Sequence, residues 1–206
     1  MNYKTWSESQ IAVLFSIENN FIFYKLPKNA GTSFKYFFKE KVPDLKYLPY
    51  GEFITNENII DFRKNAYEFF ITRNTYDRVV SLFTYFVKLI DTKNEVFHKN
   101  ISFIDFLSKI DSLFKLDYNG TSKSSMINRV ASHIIPQTTF NCDNFHLHNL
   151  DNDMLEICKN IGLSYHKIPR TNKTIHGNYK NYYDDQSIEM VNNIYGEEIS
   201  KYNFEI

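Results

Sequence analysis

Two short stretches of this 206-residue chain carry the residue types that hold anions. In the first, Pro27-Lys28-Asn29-Ala30-Gly31-Thr32-Ser33 follows the apolar run Phe21–Leu26 and precedes a helical pattern of Phe34, Phe37 and Phe38. Amides at the start of a helix have no partners inside it, the helix dipole favours negative charge there, and hydroxyls add donors. Asn29, Ala30, Gly31, Thr32 and Ser33 can therefore cradle an anion, with Lys28 approaching from the loop side. The order is not that of a Walker A loop, because the lysine precedes the glycine by three positions and none directly follows it. In the second stretch, Arg73 stands at the carboxyl end of the run Tyr67–Thr72, where α/β sheets bind ligands. Ser81 lies eight residues on, about two turns into a helix. An arginine fork and a hydroxyl can hold one phosphate. Arg78, in the first turn of that helix, reads as a solvated charge.

The elements that must position these groups follow from hydrophobic periodicity. Phe21–Leu26 and Tyr67–Thr72 read as buried strands. The first leads into a helix that ends before Pro43, capped by Thr32 or Ser33. The second leads into a helix over 76–90, with Val79, Leu82, Phe83, Phe86, Val87 and Ile90 on its apolar face. A further helix is expected over 101–116, an exposed loop over 118–125 and a strand over 145–150. A helix over 151–161 is closed by Gly162, and a last helix covers 182–195. Alternation within the 145–150 strand places His146 and His148 on one face. With no third ligand at regular spacing they read as half-buried strand residues, and no metal site is expected. Strands followed by helices point to a three-layer α/β/α domain with a mostly parallel central sheet. A single domain over 1–206 suits the length.

Composition removes other classes. Lys+Arg and Asp+Glu are both 24, so the formal charge is zero and no nucleic-acid binder working through bulk positive charge is expected. Hydrophobic residues at 43%, with 19 Phe and 15 Tyr, exclude a disordered chain, since that much apolar surface offsets the entropy of ordering. Most of these rings fall at core spacing and read as core rather than as sugar-stacking platforms. Cys142 and Cys158 fit neither a disulfide framework nor a zinc knuckle, and a reducing compartment is the simplest reading. No apolar run has the length of a membrane span or a signal peptide. A cytoplasmic, bacterial protein without an integral membrane segment is the expectation.

The residues also resemble a family. Lys25-Leu26-Pro27-Lys28-Asn29-Ala30-Gly31-Thr32-Ser33 is similar to the 5′-phosphosulfate loop of sulfotransferases that use 3′-phosphoadenosine 5′-phosphosulfate (PAPS), and Thr72-Arg73-Asn74-Thr75-Tyr76-Asp77-Arg78-Val79-Val80-Ser81 to their 3′-phosphate motif. Both occur in the family's order. His133-Ile134-Ile135-Pro136-Gln137 resembles a His-x-x-Pro-Gln element of the carbohydrate sulfotransferase branch, and Asn172-Lys173-Thr174 with the segment 179–204 resembles that branch's closing segment. The similarity spans about 21–204. One departure is Thr75, where the family usually has proline; threonine can cap the helix that proline would preset.

The resemblance implies a P-loop-like fold and PAPS as co-substrate, with no metal. It implies transfer of the sulfuryl group to an acceptor hydroxyl, on a carbohydrate or glycolipid. Such an in-line displacement needs positioning and stabilisation of charge on the leaving phosphate oxygen. Lys28 would serve that oxygen, the amides of 29–33 the 5′-phosphate and sulfuryl oxygens, and Arg73 with Ser81 the 3′-phosphate. Lys173, with Arg170, is placed near the nucleotide by the family's late basic segment, or else belongs to an exposed basic loop. His133 is the first candidate for the base, against a structural role beside Pro136; His98 and Glu52 are the others. The alternatives are a P-loop kinase, disfavoured by the missing Walker A lysine and the lack of a clear magnesium-binding aspartate, and a catalytically silent nucleotide-binding module.

Overall fold

The computed structural model describes residues 11–89, 100–115, 130, 133–165, 167–168 and 177–206. The described chain divides into two compact units. One takes in its residues from 11–73 and 140–168, the other those from 74–139 and 177–206.

The first unit is built on a five-stranded sheet of order β3-β1-β2-β4-β5. Its strands are β1 (Ala12–Ser16), β2 (Phe21–Lys25), β3 (Lys46–Pro49), β4 (Tyr67–Thr72) and β5 (Asp143–His146). β2 and β4 match the sequence expectation, and β2, β4 and β5 pair in parallel. The sheet as a whole is mixed rather than mostly parallel, because β1 pairs antiparallel with both β2 and β3. A four-residue turn joins β1 to β2, too short for anything but a hairpin. Asn20 supplies its positive φ of 50°. Asp44 clasps the turn, its carboxylate accepting from Ser16 Oγ at 2.5 Å and from the amides of Ile17 and Glu18 at 2.9 and 3.1 Å. Burial pushes that carboxyl up, but these hydrogen bonds outweigh it and hold Asp44 below the usual aspartate range.

Alternation along the strands separates two faces. Phe21 and Phe23 of β2, Phe69 and Ile71 of β4 and Phe145 of β5 point to one side. There they bury against Phe34, Phe37 and Phe38 of α1 (Gly31–Lys41) and against Met154, Ile157 and Cys158 of α6 (Leu150–Asn160). The rings pack closely, with Phe23 stacked on Phe34 at 4.8 Å. α6 closes as expected: Gly162 has φ 68°, and the amide of Leu163 donates to the Cys158 carbonyl at 2.8 Å. On the other face Phe15 meets Phe53 of α2 (Tyr50–Thr55) and Phe62 of α3 (Ile60–Asn65), while Tyr24 stacks on Phe140.

The second unit is helical. α4 (Thr75–Leu89), α5 (Phe103–Lys115) and α7 (Asp185–Tyr202) bury a shared core that includes Val79, Leu82, Phe86, Phe106, Leu107, Ile110, Val191 and Tyr195. α7 starts later and runs further than its periodicity suggests. A capping box of Asp184 and Ser187 sets its start, and Tyr179–Tyr182 before it is a 3-10 turn. The expected loop over 118–125 lies outside the described residues. The α/β class stands, and no described helix is long and apolar enough to cross a membrane.

Candidate functional site

The loop after β2 turns on two left-handed residues, Lys28 at φ 67° and Ala30 at φ 58°, on either side of buried Asn29. Neither is glycine, so each carries a backbone cost of about 1 kcal/mol that the surroundings must hold. Asn29 does part of this, its Nδ2 donating to the Ile71 carbonyl of β4 at 2.7 Å. Arg73 does the rest, Nη1 donating to the Lys28 carbonyl at 3.1 Å. The two stretches expected to hold anions thus meet, through main-chain carbonyls, beyond the carboxyl ends of neighbouring parallel strands. Left-handed residues within a tight turn gather successive amides into a concave donor set, and α1 starts directly behind it.

No side chain caps α1. Ala30 is its N-cap and its carbonyl accepts from the Phe34 amide, so neither Thr32 nor Ser33 has the capping role expected of it. Ser33 is buried, and Thr32 lies partly exposed in the first turn. Gly31 has a specific reason to be glycine. A Cβ there would lie 2.3 Å from Lys25 Cγ, because the Lys25 stem folds across it. Burial and the neighbouring Lys35 hold the Lys25 ammonium below its ordinary range. A cation beside a helix N-terminus is disfavoured by the dipole, so an anion bound there would relieve both. Gly31→Ala is expected to displace Lys25, cost about 1–3 kcal/mol from overpacking, and, on the expectation of an anion site, weaken binding at this N-terminus. Denaturant titration and calorimetry measure the two effects; unchanged values would show that Lys25 swings away freely.

In the helical unit, Asn74 caps α4, its Oδ1 accepting from the amides of Tyr76 and Asp77. Thr75, the residue expected to cap, is buried and donates to Glu198 Oε1 at 2.6 Å. Ser81 is fully buried in α4. Arg78 corrects the sequence reading, being 0% exposed rather than a solvated charge. Its Nη2 donates to the carbonyls of His133 and Ile135 at 3.1 and 2.6 Å, and Nη1 lies 3.8 Å from Glu198, itself 0% exposed. Glu198 also accepts from the Gln137 amide at 2.5 Å and from its Nε2 at 2.9 Å, and Tyr195 donates to the Ile134 carbonyl. The His133–Gln137 element is therefore gripped through its backbone by three buried side chains. The signal for Arg78 was present: it falls between Thr75 and Leu82 on one helical stripe, where a lone charge implies a buried partner. Glu198, remote in sequence, offered none.

His133 itself stacks on Tyr85 and meets the edge of Phe86, with its ring half-buried. Glu52 lies in α2 of the sheet unit. Lys173 and His98 lie outside the described residues. β5 ends at His146, so His148 stands in a following 3-10 turn, not on the strand. The chain reverses tightly there, and the two rings still come within 5.5 Å. Among the described residues no group of three His, Cys, Asp or Glu is placed to hold a metal.

Comparison with protein-family models, curated proteins and solved structures returned no match to this chain.

Proposed function

We propose that this protein is a PAPS-dependent sulfotransferase acting on a hydroxyl of a carbohydrate or glycolipid. One observation carries the reading. The two stretches that resemble the 5′-phosphosulfate and 3′-phosphate motifs are joined by the Arg73–Lys28 hydrogen bond, at the carboxyl ends of parallel strands β2 and β4. Loops at the carboxyl ends of adjacent parallel strands are where α/β sheets bind ligands, which supports the reading.

In this reading the amides of 29–33 receive the 5′-phosphate and the sulfuryl oxygens, and Lys28 offsets charge on the bridging oxygen as the sulfur–oxygen bond breaks. Arg73 and Ser81 are assigned to the 3′-phosphate, as is Lys173. His133 is a candidate base on sequence context alone. The transferred group carries less charge than a γ-phosphate, and no metal is assigned a role. The parallel trio β2-β4-β5, with ligand loops at its carboxyl ends, supports a P-loop-like, three-layer α/β/α architecture as part of the same proposal. A cytoplasmic setting is part of the same proposal, on a chain whose two cysteines are too few for a disulfide framework.

Calorimetry of adenosine 3′,5′-bisphosphate beside ADP and ATP with magnesium tests the reading. Tight binding of the bisphosphate with little affinity for ADP is expected. Preference for magnesium ATP would transfer the protein to the kinases, and absence of all nucleotide binding would leave the fold without this chemistry.

A further inference from the structure

The β3 side of the sheet collects cations that the fold does not neutralise. Lys25 ends β2, and its stem lies across Gly31 at the start of α1, with Cε 3.0 Å from where a Gly31 Cβ would stand. Burial, and then Lys35 one turn beyond Gly31, hold the Lys25 ammonium below its ordinary range, so the two cations lie close together. The Lys35 ammonium in turn lies 5.1 Å from the ring centroid of Tyr47 on edge strand β3. Tyr47 is 51% exposed, an exception to the core placement of most rings. Among the described residues no carboxylate pairs with Lys25, Lys35 or Lys46. Asp44, near this edge, is committed to the β1–β2 turn through Ser16, Ile17 and Glu18.

Tyr47 and Lys46 also border a cavity of about 480 Å³, lined further by apolar Phe15 and Ile59 and by Asn56 and Asn58. That volume falls within the range of small-molecule sites. Asn56 Oδ1 accepts from the Asn58 amide, which leaves Asn56 Nδ2 and the Asn58 side chain unpartnered among the described residues. β3 is four residues long, carries Lys46 and ends in Pro49, features that discourage the addition of another strand. Recognition at this edge therefore falls to side chains. Ala12 of β1 pairs with both Lys25 and Pro49, so Lys25 and Lys46 stand two strands and three residues apart, about 14 Å between Cα atoms.

We propose that this edge binds an anionic saccharide, with Tyr47 as the platform for a sugar ring, Lys25, Lys35 and Lys46 as counter-charges, and Asn56 and Asn58 as partners for hydroxyls. A sugar ring has an apolar C–H face that packs on an aromatic face, and its hydroxyls both donate and accept, as a primary amide does. Three lysines spread along the edge suit a polymer with widely spaced charges. They do not suit a nucleic acid, with a charge about every 3.4 Å of each strand, and the formally neutral chain lacks the bulk charge that such a polymer calls for. The role of this saccharide as the acceptor of sulfuryl transfer rests on the sulfotransferase reading above; its binding does not. Lys25 directly precedes the Lys28 loop and so links the edge to the proposed donor cradle.

The test titrates the full chain by calorimetry with a uronic-acid tetrasaccharide, its uncharged counterpart chitotetraose, an oligothymidylate and an oligoglutamate. The uronic-acid tetrasaccharide is expected to bind, chitotetraose more weakly, and the difference should shrink as salt rises. Tyr47→Ala is expected to lower the affinity about tenfold, and Tyr47→Phe to retain it. Lys35→Gln and Lys46→Gln should each lower it about two- to fivefold. No binding of the tetrasaccharide, or binding that none of these changes alters, overturns the site. Tighter binding of oligothymidylate or oligoglutamate overturns the saccharide assignment and makes the edge a nucleic-acid or acidic-peptide surface. Self-association in sedimentation that Tyr47→Ala abolishes, without tetrasaccharide binding, gives the edge to a second copy instead. Adenosine 3′,5′-bisphosphate titrated alongside keeps the two readings apart. Bisphosphate binding without tetrasaccharide binding removes this inference alone, and the reverse keeps the saccharide site and removes the sulfotransferase reading. If Tyr47→Ala does not fold, Lys35→Gln, on the exposed side of α1, decides.

Discussion

On the proposed function, Lys28→Ala is expected to reduce sulfuryl transfer about 1000-fold or more while leaving the affinity for adenosine 3′,5′-bisphosphate within a few fold. Removing one preorganised donor from a site where charge develops costs about 100- to 1000-fold in rate, and the lysine assigned to the leaving oxygen carries a full charge. Lys28 sits at φ 67°, so Lys28→Gly is the companion variant: it removes the same charge and relieves the left-handed backbone. Equal losses in the two assign the effect to the ammonium; recovery in Lys28→Gly would assign it to strain. Arg73→Ala should behave differently. It removes a fork assigned to the 3′-phosphate and frees the Lys28 carbonyl, so bisphosphate affinity and turnover should fall together. Isothermal calorimetry and single-turnover transfer separate these outcomes. Equal and small effects at Lys28 and Arg73 would sink the site.

The largest stability effect is expected at Glu198. Replacing it by alanine strips Arg78 of its buried counter-charge and leaves Thr75 and both Gln137 donors without their acceptor. Breaking a buried ion pair from one side typically costs about 3–5 kcal/mol. Denaturant unfolding should show a lowered midpoint at constant slope. Removing the charges together, as Arg78→Met with Glu198→Leu, should recover part of that loss, because the stranded charge is what costs most. A double variant as weak as the sum of the two singles would contradict this. The helix core would then depend on the carbonyl contacts of Arg78 to His133 and Ile135 and not on the pair.

Local pattern made much of the sheet unit readable. β4 is legible to the residue because Tyr67–Thr72, aromatic and β-branched except for Glu68, is ended by Arg73. The face of α1 followed from Phe34, Phe37 and Phe38 at helical spacing. β1 was missed although Ile11–Phe15 is apolar, and with it the mixed character of the sheet, since parallel pairing was inferred from strand–helix alternation alone. β3 is a half-exposed edge strand ending in Pro49, where neither alternation nor β-propensity is strong. For the candidate site, residue type singles out Lys28 and Arg73, and the fold brings Arg73 to the Lys28 carbonyl. The pairings that orient the charged groups were illegible because they run through space: Arg73 to a carbonyl, Arg78 to Glu198. Thr75 misled for a related reason. Its type suits a cap, but Asn74 one position earlier reaches the same amides, leaving the threonine hydroxyl for Glu198.

Arg73 takes hold of position 28 by a group that every amino acid possesses. The shape of the loop is therefore specified apart from the side chain it displays, and on the proposed function a single base change that removes the lysine would leave the anion cradle in place. Descendants of a chain with that function would then lose turnover in one step and keep recognition, becoming sensors or competitors for the ligand.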